Sequence, residues 1–176
     1  MIRFALAFIC LSAPAFAETG VFVDPQLSIS HGTFCAKITE GSVDAPDTVA
    51  GKIDLYERVP QIRWQGQLVP AHEVMSFGIV SKVPDGTVLD NVTITLTHPP
   101  FSESGATTQA YTTTLGGPNT SINAYSFDFP EEMVLGTWTF EATQGDRTLY
   151  RVSFEVVNPR QLPDMVSGCL DGNLLS

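Results

Sequence analysis

The feature that most constrains the fold of this chain is a two-residue alternation of apolar and polar side chains. It is clearest in residues 91–97 (NVTITLT) and again in residues 136–143 (GTWTFEAT). Successive side chains of a β-strand point to opposite faces of a sheet, so each run predicts a strand with one buried and one solvated face. No segment keeps the i, i+3, i+4 spacing of an amphipathic helix beyond a turn or two.

Further runs of this kind predict additional strands. They lie at residues 26–38, 52–58, 74–83, 108–115, 123–129 and 148–156. In residues 123–129 the predicted apolar row is Tyr125, Phe127 and Phe129. Residues 42–48 and the tail over residues 159–176, which contains two prolines, are expected to be irregular.

The order of these strands indicates the fold class. The runs 136–143 and 148–156 are separated by a short turn that contains Gly145, which predicts an antiparallel hairpin. Six or more short strands, mainly antiparallel and with no interdomain linker, are typical of two packed sheets. We therefore predict an all-β chain that forms an antiparallel two-sheet immunoglobulin-like β-sandwich.

Residues 1–17 have the pattern of a secretory signal. Arg3 gives a positive start, residues 4–11 are apolar, and Ala15 and Ala17 are the small residues that signal peptidase requires. The apolar run is shorter than the ~20 residues that a membrane-spanning helix needs. We expect cleavage after Ala17 and a periplasmic or secreted product, residues 18–176, that folds as a single domain.

The charge balance limits the partners of this chain. It contains 9 Lys and Arg residues against 19 Asp and Glu residues, for a formal net charge of -10. Because nucleic acids and anionic membranes are bound through Lys and Arg, neither is an expected partner. No transmembrane segment is predicted after residue 17. The expected partner is another envelope protein, which would meet a sheet edge or an end loop; the sequence does not indicate the oligomeric state.

Two cysteines remain once Cys10 has left with the signal. Cys35 and Cys169 form an even pair in an oxidising compartment, which predicts a disulfide between them. On the chain-entropy model, closing so long a loop contributes about 5 kcal/mol. Two unrelated buried thiols are the alternative. Neither cysteine has a second cysteine or histidine at the close spacing of a metal site.

Catalytic and cofactor signatures are missing from the sequence. It has no Gly-x-Ser-x-Gly elbow, no phosphate-binding glycine loop and no CxxC pair. We therefore predict no catalytic residues and no cofactor. His31, His72 and His98 could in principle ligate zinc or copper, but they lie on different predicted segments and are interpreted as separate side chains.

Two small groups of residues are weak site candidates. Asp128, Glu131 and Glu132 flank Pro130, and oxygen ligands gathered in a loop can hold calcium, although solvated surface is the alternative. Paired carboxylates could also serve a glycosidase.

Two aromatic residues, Trp64 and Phe101, lie in predicted connections. Aromatic side chains in loops anchor a partner or plug the end of a sandwich. Trp138, in contrast, occupies an inward position of an alternating run, which predicts a core residue.

Short segments along the chain follow one another in a recognisable order. They are His31-Gly32, Val69-Pro70-Ala71, Ser76-Phe77-Gly78, Phe127-Asp128-Phe129 with Glu132, Gly136-Thr137-Trp138-Thr139-Phe140 and Phe154-Glu155-Val156. In this order they resemble the bacterial family catalogued as domain of unknown function 3859, over residues 31–158. The resemblance implies an exported or envelope-associated immunoglobulin-like domain with no assigned activity, and it supplies no catalytic residues.

These observations lead to one functional hypothesis and two alternatives. The hypothesis is a non-catalytic binding or accessory module of the cell envelope, since enzyme signatures are missing and sandwiches are often used for recognition. The first alternative is a hydrolase that uses loop carboxylates. A cavity with two convergent carboxylates of perturbed pKa would favour it. The second alternative is a purely structural spacer.

Overall fold

The computed structural model describes residues 20–36 and 39–172. The predicted signal over residues 1–17 lies outside these residues, and so does the predicted cleavage after Ala17. Within the described residues, no helix is long and apolar enough to cross a membrane.

β-Strands dominate the described residues, as the alternation predicts. The strands are β1 (Val21–Val23), β2 (Ser28–Cys35), β3 (Ser42–Asp44), β4 (Lys52–Asp54), β5 (Trp64–Gln65), β6 (Leu68–Pro70), β7 (Met75–Lys82), β8 (Val88–Thr97), β9 (Thr108–Gly116), β10 (Ser121–Ser126), β11 (Gly136–Gln144) and β12 (Arg147–Val157), and the helix is α1 (Pro163–Gly172). Three 3-10 turns, at Pro84–Gly86, Pro130–Glu132 and Pro159–Gln161, each begin with proline, whose fixed φ suits the first position of a helical turn.

The strands form two facing sheets and a separate hairpin. The first sheet has the order β1-β12-β11-β8-β9, and β6 joins it in parallel beside β12. The second sheet has the order β10-β7-β2-β5, and β3 pairs with β4. The predicted two-sheet antiparallel sandwich is thereby confirmed. Strands β9 and β10 are edge strands, one in each sheet.

The core between the sheets is aromatic. Phe77 of β7 lies at its centre, and the ring centroids of Trp138, Phe140 and Phe154 are 5.7, 5.8 and 5.1 Å away. These four side chains are at most 1% exposed, so Trp138 is a core residue as predicted. The hydrophobic effect favours burial of such large side chains by about 1.5–3 kcal/mol each.

The hairpin of β11 and β12 is confirmed. Its register runs from Gly136 opposite Val156 to Gln144 opposite Arg147, with a bulge at Ala142 and Thr143. Gly145, in the turn, has a φ of +58°, a left-handed conformation that glycine adopts without steric strain.

The predicted disulfide between Cys35 and Cys169 is present, with a Cα–Cα distance of 5.3 Å. It attaches α1 to the end of β2. Arg63 adds a second attachment, because its Nη1 donates a hydrogen bond to the Gly168 carbonyl at 2.8 Å. A helix of ten residues is marginal in isolation, so α1 depends on these tertiary contacts.

Three local predictions are wrong. The tail is not irregular over residues 159–172, where a 3-10 turn and α1 form; the helical spacing there is too short to stand out in the sequence. Residues 42–44 are not irregular either, since they pair with β4. Phe129 does not join the apolar row of β10. That strand ends at Ser126, Pro130 begins a turn, and the Phe129 side chain is 50% exposed.

Candidate functional site

A cavity of about 340 Å³ lies beside edge strand β10, on the side of the sandwich where β9 is the edge of the facing sheet. The β3–β4 hairpin and the residues that follow it cover this side. Three tyrosines and four carboxylates are part of the lining: Tyr56, Tyr111, Tyr125, Asp54, Glu73, Asp128 and Glu132. The volume falls within the ~300–1,000 Å³ of typical small-molecule sites.

The covering hairpin is attached to β9. Ala110 N donates a hydrogen bond to Asp47 O at 3.1 Å, and Val49 N donates one to Gln109 Oε1 at 2.9 Å. The sequence between β3 and β4 allows this approach because Gly51, with φ at +66°, turns the chain back toward β4. The hairpin thus spans from β9 across the edge of β10.

One wall of the cavity is stiffened by a buried polar network. Tyr111 Oη donates to Asn123 Oδ1 at 2.9 Å, and Asn123 Nδ2 donates to Tyr150 Oη at 2.8 Å. Asn123 is 3% exposed and Tyr150 is fully buried. Burial raises the pKa of Tyr111 and of Tyr150, so both hydroxyls stay protonated at physiological pH.

Glu132 places a carboxylate on the buried side of the cavity. It is the third residue of the turn that begins at Pro130, and its Oε2 accepts hydrogen bonds from Asp128 N at 2.8 Å and Phe129 N at 3.0 Å. Only 2% of the residue is exposed. Burial raises the pKa of Glu132, because a charge in a desolvated site is costly; the neighbouring Tyr125 hydroxyl and then the two backbone hydrogen bonds oppose that shift.

Tyr125 brings an unsatisfied polar group to the same site. Its hydroxyl oxygen is buried and has no hydrogen-bond partner in the described part of the chain. Burial, and then the negative charge of Glu132, raise the pKa of Tyr125. A buried hydroxyl without a partner costs free energy, so this atom is a natural contact for a bound molecule.

The rim of the cavity is charged. Lys52 Nζ lies 2.7 Å from Asp54 Oδ1. Asp128 is exposed overall, but partial desolvation, followed by the neighbouring Asp54 carboxylate, raises its pKa. Next to it, Tyr56 Oη is 3.5 Å from Ser126 Oγ.

The structure does not gather the calcium candidates into a metal site. Asp128 and Glu132 both line the cavity, whereas Glu131 does not. Within residues 20–36 and 39–172, no group of three or more His, Cys, Asp or Glu side chains could hold a metal ion. The carboxylates at positions 128 and 132 therefore belong to a cavity, and the interpretation of all three as solvated surface is wrong for Glu132.

The two aromatic binding candidates have different positions. Phe101 is 2% exposed and stacks on His98, which stacks in turn on Trp138, so it packs in the core and cannot anchor a partner. Trp64 is partly exposed on β5, and the Arg63 guanidinium carbon lies 4.7 Å from its ring centroid. Trp64 does not line the cavity.

The three histidines make separate contacts. His31 packs edge-on against Phe154, and His72 Nδ1 accepts a hydrogen bond from Val74 N at 3.3 Å. Nδ1 of His98 lies 2.8 Å from the Pro99 carbonyl oxygen.

The sequence did not predict most of the residues that line the cavity. Asn123 carried a usable signal, because it occupies an inward position of β10 in the same row as Tyr125 and Phe127. A polar side chain in an inward row indicates either a buried network or a site. Lys52 and Asp54 carried no such signal, since the fold of the hairpin alone brings them to the rim.

Known proteins are similar to this chain in sequence and in fold. The sequence matches the profile of a family described as a domain of unknown function (DUF3859) over residues 25–156. The fold is similar to the crystal structure of an immunoglobulin-like protein from Pseudomonas aeruginosa, with a TM-score of 0.51 and 24% identity, over 81% of this chain and 100% of that chain. No curated protein matches the chain. At this identity the structural similarity concerns the fold alone, which is the immunoglobulin-like sandwich predicted from the sequence.

Proposed function

We propose, starting from the fact that this chain belongs to the DUF3859 family, that it is a non-catalytic binding module of the bacterial cell envelope whose site is the cavity beside β10. The family is described only as a domain of unknown function, so the proposal depends on the cavity itself. One observation carries it: a cavity of ligand size has in its lining a buried carboxylate, Glu132, and beside it the buried Tyr125 hydroxyl, which forms no hydrogen bond of ordinary geometry within residues 20–36 and 39–172. Perturbed, desolvated polar groups of this kind concentrate at functional sites.

A cavity that was only a packing defect would have a different lining. Protein interiors are close-packed, and the empty voids that they contain are apolar. This cavity instead has several carboxylates and tyrosines in its lining, and it lies at a sheet edge under a separate hairpin. The covering hairpin lies outside the two main sheets, which supports a role for it in covering a ligand.

Export to the envelope is supported by two features. The first 17 residues have the signal pattern described above, and disulfides such as Cys35–Cys169 persist in oxidising compartments. Mass measurement of the exported product, before and after thiol labelling, tests both. We expect a chain that begins at Glu18 and has no free thiol; a mass that retains Met1, or two labelled thiols, would contradict export in this form.

A hydrolase is the second candidate, because Asp128 and Glu132 both line the cavity and both have a raised pKa. The geometry favours binding over hydrolysis. Glu132 Oε2 already accepts two backbone hydrogen bonds of its own turn, and Asp128 stands exposed at the rim rather than beside Glu132 in the buried part of the cavity.

The test is a small-molecule screen on the oxidised mature chain, followed by thermal unfolding. We expect a compound that raises the Tm of the wild type but not that of Ala124→Leu, which adds bulk to the cavity lining. Thr112→Leu, at an exposed position of β9, is the matched control and should respond like the wild type. Compounds that shift both variants equally would contradict the site. Recovery of cleaved rather than intact compound would favour the hydrolase.

A further inference from the structure

The charged side chains that line the cavity are mostly carboxylates. Among the described residues of its lining, Asp54, Glu73, Asp128 and Glu132 stand against one cation, Lys52. Lys52 is already paired with Asp54. The other three carboxylates leave the cavity with a negative field, which repels anions and raises the local concentration of cations.

The uncharged part of the lining suits a small apolar body. Tyr56, Tyr111 and Tyr125 contribute aromatic rings, and Ile53 and Phe140 contribute further apolar area. Aromatic rings carry negative charge density on their faces, so they favour a cation as well as a hydrocarbon.

The ammonium group of Lys52 already lies at the rim of the cavity. The hydrogen bond from Lys52 to Asp54 raises the pKa of Lys52, and the Asp128 carboxylate adds to that shift. Deeper in, the Tyr125 hydroxyl has no hydrogen-bond partner among the residues that the structure describes. A ligand with an N–H donor can supply the partner that this oxygen lacks.

A metal ion fits the site less well than an organic cation. Over the part of the chain that the structure describes, no three metal-ligating side chains come close enough to share an ion. A metal ion would also leave the tyrosine rings and the apolar lining without a contact.

We propose that the cavity binds a small organic cation, a primary or secondary ammonium carried on a compact aromatic or aliphatic body. This inference rests on the binding function proposed above and adds the chemical class of the ligand. The ammonium group interacts with the carboxylates, Asp128 foremost because it is exposed at the rim. The apolar body packs against the tyrosines.

Calorimetric titration of the oxidised mature chain with matched compounds tests this assignment. The pairs are benzylamine with benzyl alcohol and phenethylamine with phenethyl alcohol, which differ in the cationic group and hardly in shape. We expect each amine to bind at least about tenfold more tightly than its alcohol, and the difference to shrink as salt is added.

Two variants locate the binding. Asp128→Asn removes the rim charge with little change in shape and should lower amine affinity about tenfold while leaving alcohol affinity unchanged. Asp146→Asn removes the same charge from an exposed turn outside the cavity lining, and it should bind like the wild type.

The outcomes separate the two proposals. Equal affinity for amine and alcohol overturns the cation assignment but leaves the binding function standing, provided that Ala124→Leu blocks both compounds. Amine binding that Ala124→Leu does not weaken overturns this site. An absence of amine binding overturns the cation assignment whether or not the wider screen finds another ligand.

Discussion

The same two sheets enclose two buried regions of opposite character. The rings of Trp138, Phe140 and Phe154 surround Phe77, and their centroids lie 5.1–5.8 Å from the Phe77 centroid. Beside β10, the sheets and the β3–β4 hairpin enclose tyrosines, carboxylates and open volume. The first region is filled by packed rings, whereas the second leaves open volume that is lined by polar groups.

Strand β10 shows how one row of side chains serves both regions. Asn123 and Tyr125 of β10 and Phe127, just after the end of the strand, occupy successive inward positions. Phe127 packs 5.6 Å from Phe77, whereas Asn123 hydrogen-bonds two tyrosine hydroxyls. Apolar packing is non-directional and tolerates substitution, while a buried polar network is stable only when every member has a partner. The two regions should therefore respond differently to mutation.

The largest effect is expected in the aromatic core. Phe77→Ala removes a fully buried ring that contacts several others, and it should lower the free energy of unfolding by about 3–5 kcal/mol. Urea unfolding followed by fluorescence measures this loss. Phe77→Leu should cost less, which keeps the loss measurable if the alanine variant does not fold. Phe22→Ala, at a residue that is 48% exposed, is the matched control and should change stability little.

A comparable loss for Phe22→Ala and Phe77→Ala would contradict the central place of Phe77. It would indicate that β1 packs against a surface in solution, since an exposed aromatic side chain otherwise contributes little.

A smaller effect is expected in the polar network between the two regions. Asn123→Leu keeps the branched shape of the side chain but leaves the Tyr111 and Tyr150 hydroxyls without their partner, and should cost about 1–3 kcal/mol. Tyr150→Phe removes the second of these hydroxyls, on a residue that is fully buried. The double variant should then lose less than the sum of the two single variants, because they share one network. Additive losses would show that the network is not coupled.

The sequence predicted the aromatic region better than the cavity, and the reason is physical. Alternation reports which side chains of a strand face inward, so Trp138, Phe140 and Phe154 were recognisable without a structure. The cavity depends on how a short hairpin crosses a sheet edge. The sequence gives no periodic signal for that crossing, because β3 and β4 have three residues each. Glu132 was noticed as an acidic residue, but its burial follows from the turn that begins at Pro130.

The disulfide and the helix illustrate the same limit. The pairing of Cys35 with Cys169 was predictable because only two cysteines remain after the signal. Helix α1 was not, because its stability comes from the disulfide and from Arg63, a residue far away in the sequence. Tertiary contacts of this kind override weak local preferences.

The smallest effect on stability, with a distinctive pH dependence, is expected at Glu132. Burial raises its pKa above the ordinary value of 4.5, so the folded state holds a proton more tightly than the unfolded state does. The stability that this group contributes is therefore complete below the unfolded pKa, and it is lost as the pH rises through the folded pKa. Glu132→Gln has no such loss, and its amide oxygen can still accept the hydrogen bonds of Asp128 N and Phe129 N.

We therefore expect Glu132→Gln to match the wild type in acid and to exceed its free energy of unfolding at neutral pH, by less than the loss in Asn123→Leu. Unfolding curves collected for both proteins from about pH 4 to about pH 8 measure the difference. Thr137→Val, on the outward face of β11, serves as a control without a titrating group. A variant that is less stable at neutral pH would show that the carboxylate is retained for folding. A variant that is more stable but no longer binds the amine would show that the Glu132 carboxylate is retained for ligand binding, although it lowers the stability of the fold.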